Sequence, residues 1–141
     1  MDLYAENILD HYRNPRGKSP LLPQRERGQG RGPIQHTESN PACGDEITVG
    51  ISLQNDHISE ICWDGTGCAI SQAAMSMLSE ELEGKTLEDI DHLTKDSLLA
   101  LLGVPIGPRR LKCALLGLHA CKNALCQFQK IPLRSWSETV A

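Results

Sequence analysis

Aromatic residues are scarce in this sequence, which has one Phe, two Tyr and two Trp among 141 residues. A hydrophobic core must therefore be built mainly from Leu, Ile, Val, Ala and Met. Long apolar runs are missing as well, and none approaches the roughly 20 residues that a membrane-spanning helix needs. The N-terminal segment carries Asp2, Glu6 and Asp10 and lacks the basic start and apolar stretch of a signal peptide. We therefore expect a cytoplasmic protein without a membrane partner.

An excess of positive charge is also absent. The formal net charge is -4 and the isoelectric point is about 5.7. This balance argues against general binding to the phosphates of nucleic acids. The length is sufficient for one domain with its own core, so we expect a single domain over residues 1–141.

The apolar pattern predicts strands first and helices afterwards. Alternation from Ile47 to Leu53, turn residues, and a second apolar stretch from Ile58 to Trp63 predict a hairpin, with a further strand around residues 34–39. Helical spacing predicts helices over residues 2–13, from about Ile70 to near Gly84, after Thr86, over Thr94–Leu102, and from about Arg109 to Lys130. This order indicates an α+β domain in which helices pack on one face of a small antiparallel sheet of about three strands.

Two segments lack a periodic pattern. Residues 15–33 contain four prolines, four glycines and five basic residues, which is typical of a flexible loop. Residues 132–141 are expected to form a tail. In the last helix we expect five residues to face inward, namely Leu111, Leu115, Leu118, Leu125 and Phe128.

The six cysteines contain no Cys-x-x-Cys pair. In a reducing compartment, metal binding or thiol chemistry explains such a number better than disulfides do. Cys43 precedes the predicted hairpin, Cys68 begins a predicted helix, and Cys113 lies in the first turn of the last one. The positive end of a helix dipole favours the thiolate form of Cys68 and Cys113, and the flanking Arg110 and Lys112 act in the same direction on Cys113.

Three thiolates together with the carboxylate of Asp45 would complete a tetrahedral zinc site. The spacing alone matches no general zinc motif, so each residue keeps an ordinary structural alternative. Any of the cysteines could be a small core residue, Asp45 a solvated turn residue, and Arg110 an exposed cation on a helix turn. Cys62, Cys121 and Cys126 are expected to be buried thiols rather than ligands.

Four segments nevertheless resemble a known family. The segments Asn40-Pro41-Ala42-Cys43-Gly44-Asp45, Gly65-Thr66-Gly67-Cys68-Ala69-Ile70-Ser71 and Arg110-Leu111-Lys112-Cys113-Ala114-Leu115-Leu116, with Tyr4 to Arg16, are similar to the IscU/NifU N-terminal-like iron–sulfur cluster assembly proteins. The resemblance covers nearly the whole chain. It implies an IscU/SufU-like fold and metal ligation by Cys43, Asp45, Cys68 and Cys113.

The resemblance is closest to the SufU branch. Lys112 stands where the IscU branch usually has a histidine, and the segment that IscU offers to a chaperone is reduced here to residues 106–110. SufU proteins bind zinc through three cysteines and one aspartate and accept persulfide sulfur from a SufS-type cysteine desulfurase. This chain departs from them in lacking much of their extra stretch between Cys68 and Cys113. The implied partners are a SufS-like desulfurase and a downstream cluster scaffold or carrier, with the chain a monomer or weak dimer.

Three functions follow as alternatives. The first is a zinc-dependent sulfurtransferase in which Cys43, Arg110 and Cys113 are the catalytic residues. The second is a non-enzymatic scaffold on which the same ligands hold iron or a transient [2Fe–2S] cluster. The third is a purely structural zinc domain. Resemblance to SufU indicates Cys43 as the first sulfur acceptor and resemblance to IscU indicates Cys113, and our hypothesis is Cys43.

Overall fold

The computed structural model describes residues 3–18, 34–40 and 44–140. Its strands are β1 (Ile34–Asn40), β2 (Asp45–Gln54) and β3 (His57–Thr66). Its helices are α1 (Leu3–Arg13), α2 (Ala69–Leu82), α3 (Leu87–His92), α4 (Lys95–Leu102), α5 (Leu111–Gln129) and α6 (Trp136–Val140). A 3₁₀ turn, Pro108–Arg110, precedes α5. None of the helices in these ranges combines the length and apolar character that a membrane span requires.

The three strands form one antiparallel sheet in the order β1-β2-β3, which confirms the predicted α+β class. Helix α5 packs against β1 and β2, and α2 packs against β3. The hairpin between β2 and β3 turns at Asn55 and Asp56, which both have positive φ, as expected for these residue types in a tight turn. The inward residues of β2 are the β-branched Ile47, Val49 and Ile51, all fully buried.

The close packing of α2 against α5 places the helices relative to each other. A Cβ atom built on Gly117 of α5 would lie 2.6 Å from Sδ and 3.3 Å from Cβ of Met75 in α2. Gly117 therefore allows the two helices to approach more closely than a larger residue would. The same contact fills the core with the flexible thioether of Met75, which is fully buried.

The long helix differs from its prediction at both ends. Its N-terminal part is a 3₁₀ turn in which the Arg110 N–H bonds to the Gly107 carbonyl at 3.0 Å, so α5 begins at Leu111. Phe128 was expected to face inward, but 49% of its surface is exposed. The reason is its place in the last turn of α5, where residues 127–130 are all exposed because the helix has passed the core.

The segments without periodicity are only partly described. Residues 15–18 follow α1 and lie beside β3, where the Gly17 carbonyl accepts a hydrogen bond from the Trp63 N–H at 2.9 Å. Residues 19–33 lie outside the described residues. The expected tail includes helix α6. The Trp136 ring of this helix stacks on the His119 ring with 4.1 Å between the ring centres, and Thr139 Oγ1 lies 2.7 Å from His119 Nδ1.

Helix α1 is attached to α2 through a buried histidine. His11 Nδ1 lies 2.7 Å from Ser76 Oγ, which also accepts the Arg16 N–H at 2.8 Å. The Ser76 hydroxyl can donate its proton to Nδ1 while its oxygen accepts from Arg16, an arrangement that suits a neutral ring. Burial lowers the pKa of His11, with Arg16 acting in the same direction and Glu80 and Asp10 opposing it.

The lowered pKa makes the fold sensitive to acid. A histidine whose pKa is lower in the folded than in the unfolded state binds fewer protons when folded, so stability falls as pH drops below the unfolded value of about 6.5. We expect the free energy of unfolding to decrease from pH 7.5 to 5.5, and to decrease less in His11→Gln. Urea denaturation at several pH values measures this. The matched control is His92→Gln on the surface of α3, and an identical pH slope in all three proteins would contradict the assignment.

Candidate metal centre

Three chain segments meet at one end of the sheet. Asp45 begins β2, Cys68 immediately precedes α2, and Cys113 is the third residue of α5. One carboxylate oxygen of Asp45 and the two Sγ atoms lie within 4.8 Å of one another. The segments are far apart in sequence, so their meeting is a consequence of how β2, α2 and α5 pack.

Asp45 is a buried acid with an unsatisfied oxygen. Its surface is 6% exposed, and its Oδ2 atom has no hydrogen-bond partner among the described residues. A carboxylate in that environment is costly unless a donor or a cation compensates it. With two thiols beside it, a metal cation is the compensating group that the surroundings suit best.

Cys68 lies at the N-terminal cap of α2, where its carbonyl accepts the Gln72 N–H at 3.2 Å. Its side chain makes no capping hydrogen bond, and its Sγ lies 3.9 Å from Ser71 Oγ. The residue is partly exposed. Cys68 therefore combines a place at the N-terminal end of a helix with access from solvent.

Gly67 permits Asp45 and the start of α2 to lie side by side. A Cβ atom at Gly67 would lie 2.8 Å from Asp45 Cγ and 2.6 Å from Ser71 Oγ. Both distances are shorter than real Cβ contacts, so any larger residue would displace the carboxylate or the serine. The close approach of the Asp45 and Ser71 side chains thus explains why the third position of the Gly-x-Gly-Cys segment, Gly67, is a glycine.

Cys113 is more enclosed than Cys68. Its surface is 6% exposed, and its Sγ accepts a hydrogen bond from Asn40 Nδ2 at 3.8 Å. The neighbouring cations are directed elsewhere or to solvent. Arg110 is exposed, and the Lys112 ammonium lies 5.8 Å from the ring centre of Trp136. Their influence on the sulfur is therefore exerted through space rather than by a contact we observe.

The geometry suits a tetrahedral ion of the zinc type. Zinc–sulfur bonds of about 2.3 Å and zinc–oxygen bonds of about 2.0–2.2 Å imply ligand atoms roughly 3.5–3.8 Å apart. Ligand atoms already within 4.8 Å of one another need only a small movement to reach those positions. Two thiolates with one carboxylate form a set that zinc and iron both accept.

The structure brings together three of the four expected ligands: Asp45, Cys68 and Cys113. Cys43, the fourth, lies outside the described residues. The remaining cysteines, 62, 121 and 126, are buried and do not belong to this group within the described chain. Burial raises the pKa of Cys121 to about 12, which makes it a poor nucleophile.

Asn40 is the residue at this site that the sequence analysis did not identify. It occupies the first position of the Asn-Pro-x-Cys-Gly-Asp segment and ends β1 directly opposite Asp45. The antiparallel pairing of residues 40 and 45 around a short connection was the signal that could have placed its side chain beside the ligands.

Comparison with known proteins identifies similar chains. The family described as the NifU-like N-terminal domain matches residues 3–135. The zinc-dependent sulfurtransferase SufU of Bacillus subtilis is 30% identical, with 89% of this chain and 90% of that protein covered. The iron–sulfur cluster assembly scaffold protein IscU of Aquifex aeolicus is 35% identical, with 86% and 73% covered.

Solved structures show the same fold. FiSufU of the thermophile Fervidobacterium islandicum AW-1 superposes with a TM-score of 0.64 at 25% identity, over 85% of this chain and 94% of that one. The N-terminal part of a NifU-like protein from Brucella abortus gives 0.69 at 18% identity, over 91% and 95%. The second likeness supports the fold alone.

The close approach at Gly67 can be tested by substitution. Gly67→Ala should displace the Asp45 carboxylate and weaken zinc binding about 10- to 100-fold, as other disturbances of ligand orientation do. Competition with a coloured chelator measures the affinity. Gly107→Ala is the matched control, because a Cβ atom there would meet nothing within 4 Å. Equal affinities in the two variants would contradict the role assigned to Gly67.

Proposed function

This chain belongs to the family of NifU-like N-terminal domains, and we propose from that premise that it is a SufU-like protein of iron–sulfur cluster assembly. In this proposal Cys43, Asp45, Cys68 and Cys113 bind zinc, and the protein accepts persulfide sulfur from a SufS-like cysteine desulfurase. The observation that supports it most is that Asp45 Oδ2, beside two cysteine thiols, has no hydrogen-bond partner among the described residues. The sulfurtransferase name of the Bacillus subtilis relative supports the same assignment.

Zinc, when bound, would keep its cysteine ligands deprotonated at neutral pH. Four side-chain ligands would leave no open position on the ion, so Cys43 would have to be released from it before its thiolate could attack sulfur. Asp45 is a hard ligand among soft thiolates, and this fits a site in which ligands exchange. Cys43 is two peptide bonds from Asp45, so chain length alone allows its sulfur to reach the group.

The sulfur step is a thiol exchange without net oxidation. The Cys43 thiolate would attack the terminal sulfur of the desulfurase persulfide and form a new S–S bond. The original S–S bond breaks, and its electron pair remains on the desulfurase cysteine as a thiolate. The product is a persulfide on Cys43, available to a downstream cluster scaffold or carrier.

In this proposal Arg110 helps the desulfurase persulfide to approach the site. It is exposed in the turn Pro108–Arg110, immediately before the helix that carries Cys113. A cation in this position lowers the energy of a negatively charged persulfide near the site. A reducing, cytoplasmic setting is part of the proposal because the reaction needs thiols that remain reduced.

A second function is favoured by the names of other relatives. The IscU scaffold of Aquifex aeolicus is 35% identical to this chain, against 30% for the SufU relative. Thiolates and a carboxylate would hold iron as well as zinc. In this alternative the same residues carry a transient [2Fe–2S] cluster, which is cargo, and Lys112 is a tolerated replacement of histidine.

Metal and sulfide content, together with the effect on a cysteine desulfurase, tests the proposal. Protein purified without oxygen should contain about one zinc per chain and no acid-labile sulfide, as one four-ligand site predicts. It should also accelerate desulfurase turnover, and Cys43→Ala should abolish the acceleration because the acceptor is lost. Metal analysis, sulfide analysis and alanine release measure these quantities.

Cys126→Ala is the control for this experiment, because Cys126 is a buried thiol outside the group and its loss should leave acceleration intact. Iron and sulfide with a transferable cluster would instead support the scaffold function. Acceleration that survives in Cys43→Ala but is lost in Cys113→Ala would overturn the choice of acceptor.

Removal of the metal distinguishes both functions from a structural zinc domain. The two groups of buried apolar residues that form the core include none of Asp45, Cys68 and Cys113. We therefore expect treatment with a chelator to leave the far-ultraviolet circular dichroism nearly unchanged. Loss of the helical signal on chelation, with recovery when zinc is restored, would favour the structural domain instead.

A further inference from the structure

Asn40 is buried against the candidate metal centre. It is the last residue of β1, and 2% of its surface is exposed. Its Nδ2 atom donates a hydrogen bond to Cys113 Sγ across 3.8 Å. The amide nitrogen has no lone pair to offer a metal, so its contact with the sulfur is that of a donor to a ligand rather than of a ligand itself.

The sheet determines where this amide lies. Asn40 pairs with Asp45 in the register of β1 and β2, and the side chains of paired residues project to the same face. The Asn40 carbonyl also accepts the Gly44 N–H at 2.8 Å, which closes the connection between the two strands. The pairing of β1 with β2 therefore positions both Asp45 and the Asn40 amide that donates a hydrogen bond to the Cys113 sulfur.

The charged neighbours of Cys113 in sequence, Arg110 and Lys112, are both exposed. Lys112 directs its ammonium to Trp136, 5.8 Å from the ring centre. Arg110 is exposed on the preceding turn. The contact of Asn40 with Sγ is thus short-range and enclosed, where a hydrogen bond to a charged acceptor is strongest.

We propose that Asn40 is a positioning residue that holds the Cys113 thiolate through an N–H···S hydrogen bond and thereby sets how firmly that sulfur binds the metal. This inference rests on the proposed function, since it assumes a metal at the site. The hydrogen bond fixes the side-chain orientation of Cys113 and withdraws electron density from its sulfur. Groups that orient metal ligands in this way typically contribute 10- to 100-fold to metal affinity.

Asn40→Leu tests the proposal, because leucine has a similar size and no donor. The variant should bind zinc about 10- to 100-fold more weakly in chelator competition. Loaded with Co²⁺, it should also show the sulfur-to-cobalt charge-transfer band at longer wavelength, because the sulfur regains electron density. A merely structural role would not move that band.

Asn123→Leu is the matched control. Asn123 is equally buried, but its Nδ2 donates to Glu38 Oε2 at 2.8 Å instead of to a thiol. Its loss should lower stability without changing the cobalt spectrum. Where Asn40→Leu fails to fold, Asn40→Ala provides the same comparison with a smaller side chain and the same expected band shift.

The outcomes separate this inference from the proposed function. A wild-type affinity and cobalt spectrum in the folded Asn40 variant would overturn the role of Asn40 and leave the sulfur proposal intact. Wild-type protein that binds zinc but takes no sulfur from a desulfurase would overturn the sulfur proposal while the Asn40 comparison stands. Wild-type protein that binds neither zinc nor Co²⁺ would overturn both.

Discussion

The candidate metal centre depends on the close packing of helices α2 and α5. Gly117 meets Met75 about one turn beyond Cys113 and about two turns beyond Cys68, so the contact lies in the first half of α5 and at the middle of α2. Because neither helix can shift there without opening the core, their N-terminal ends are held together beside β2. Asp45 begins that strand and reaches the same point from the sheet. The site is therefore a product of helix packing, which explains why ligands 23 and 45 residues apart can share an ion.

A cation at this site would relieve the electrostatic repulsion between negatively charged ligand groups. Two negative charges 4.8 Å apart repel each other by about 3.5 kcal/mol at an effective dielectric constant near 20. A helix N-terminus offsets only about 0.3–1 kcal/mol for each charge. The arrangement of a carboxylate and two thiolates at this separation is therefore unfavourable without a bound cation and favourable with one. The hydrogen bond from the Asn40 amide also stabilises negative charge, but only on the Cys113 sulfur and by a smaller amount than a metal ion would.

Periodicity predicted the elements because most of them bury one regular face. Ile47, Val49 and Ile51 alternate with polar residues in β2, and the order of elements then indicated the α+β class that the structure has. The same rule was wrong for Phe128, because a helical pattern does not record where a helix passes the end of the core. The four expected ligands, three cysteines at element junctions together with Asp45, were inferred from those positions and a family resemblance, and the structure describes three of the four. Asn40 was not inferred, because its role follows from strand register, which the sequence does not reveal directly.

The different burial of the two described cysteines of the candidate metal centre bears on which thiol accepts sulfur first. Cys113 is enclosed and already accepts the Asn40 hydrogen bond, whereas Cys68 is partly exposed. A persulfide delivered by a partner has to reach its acceptor from solvent, so the enclosed sulfur is the less accessible target. Lys112 does not make Cys113 the better acceptor. An ammonium group has no lone pair with which to take a proton from the thiol, and the Lys112 ammonium lies beside Trp136. In the proposed site, Cys113 would thus be the thiol better suited to remain on a bound metal while another cysteine is released. The enclosure of Cys113 therefore argues against Cys113 as the first sulfur acceptor, and Cys43 remains our hypothesis for that role.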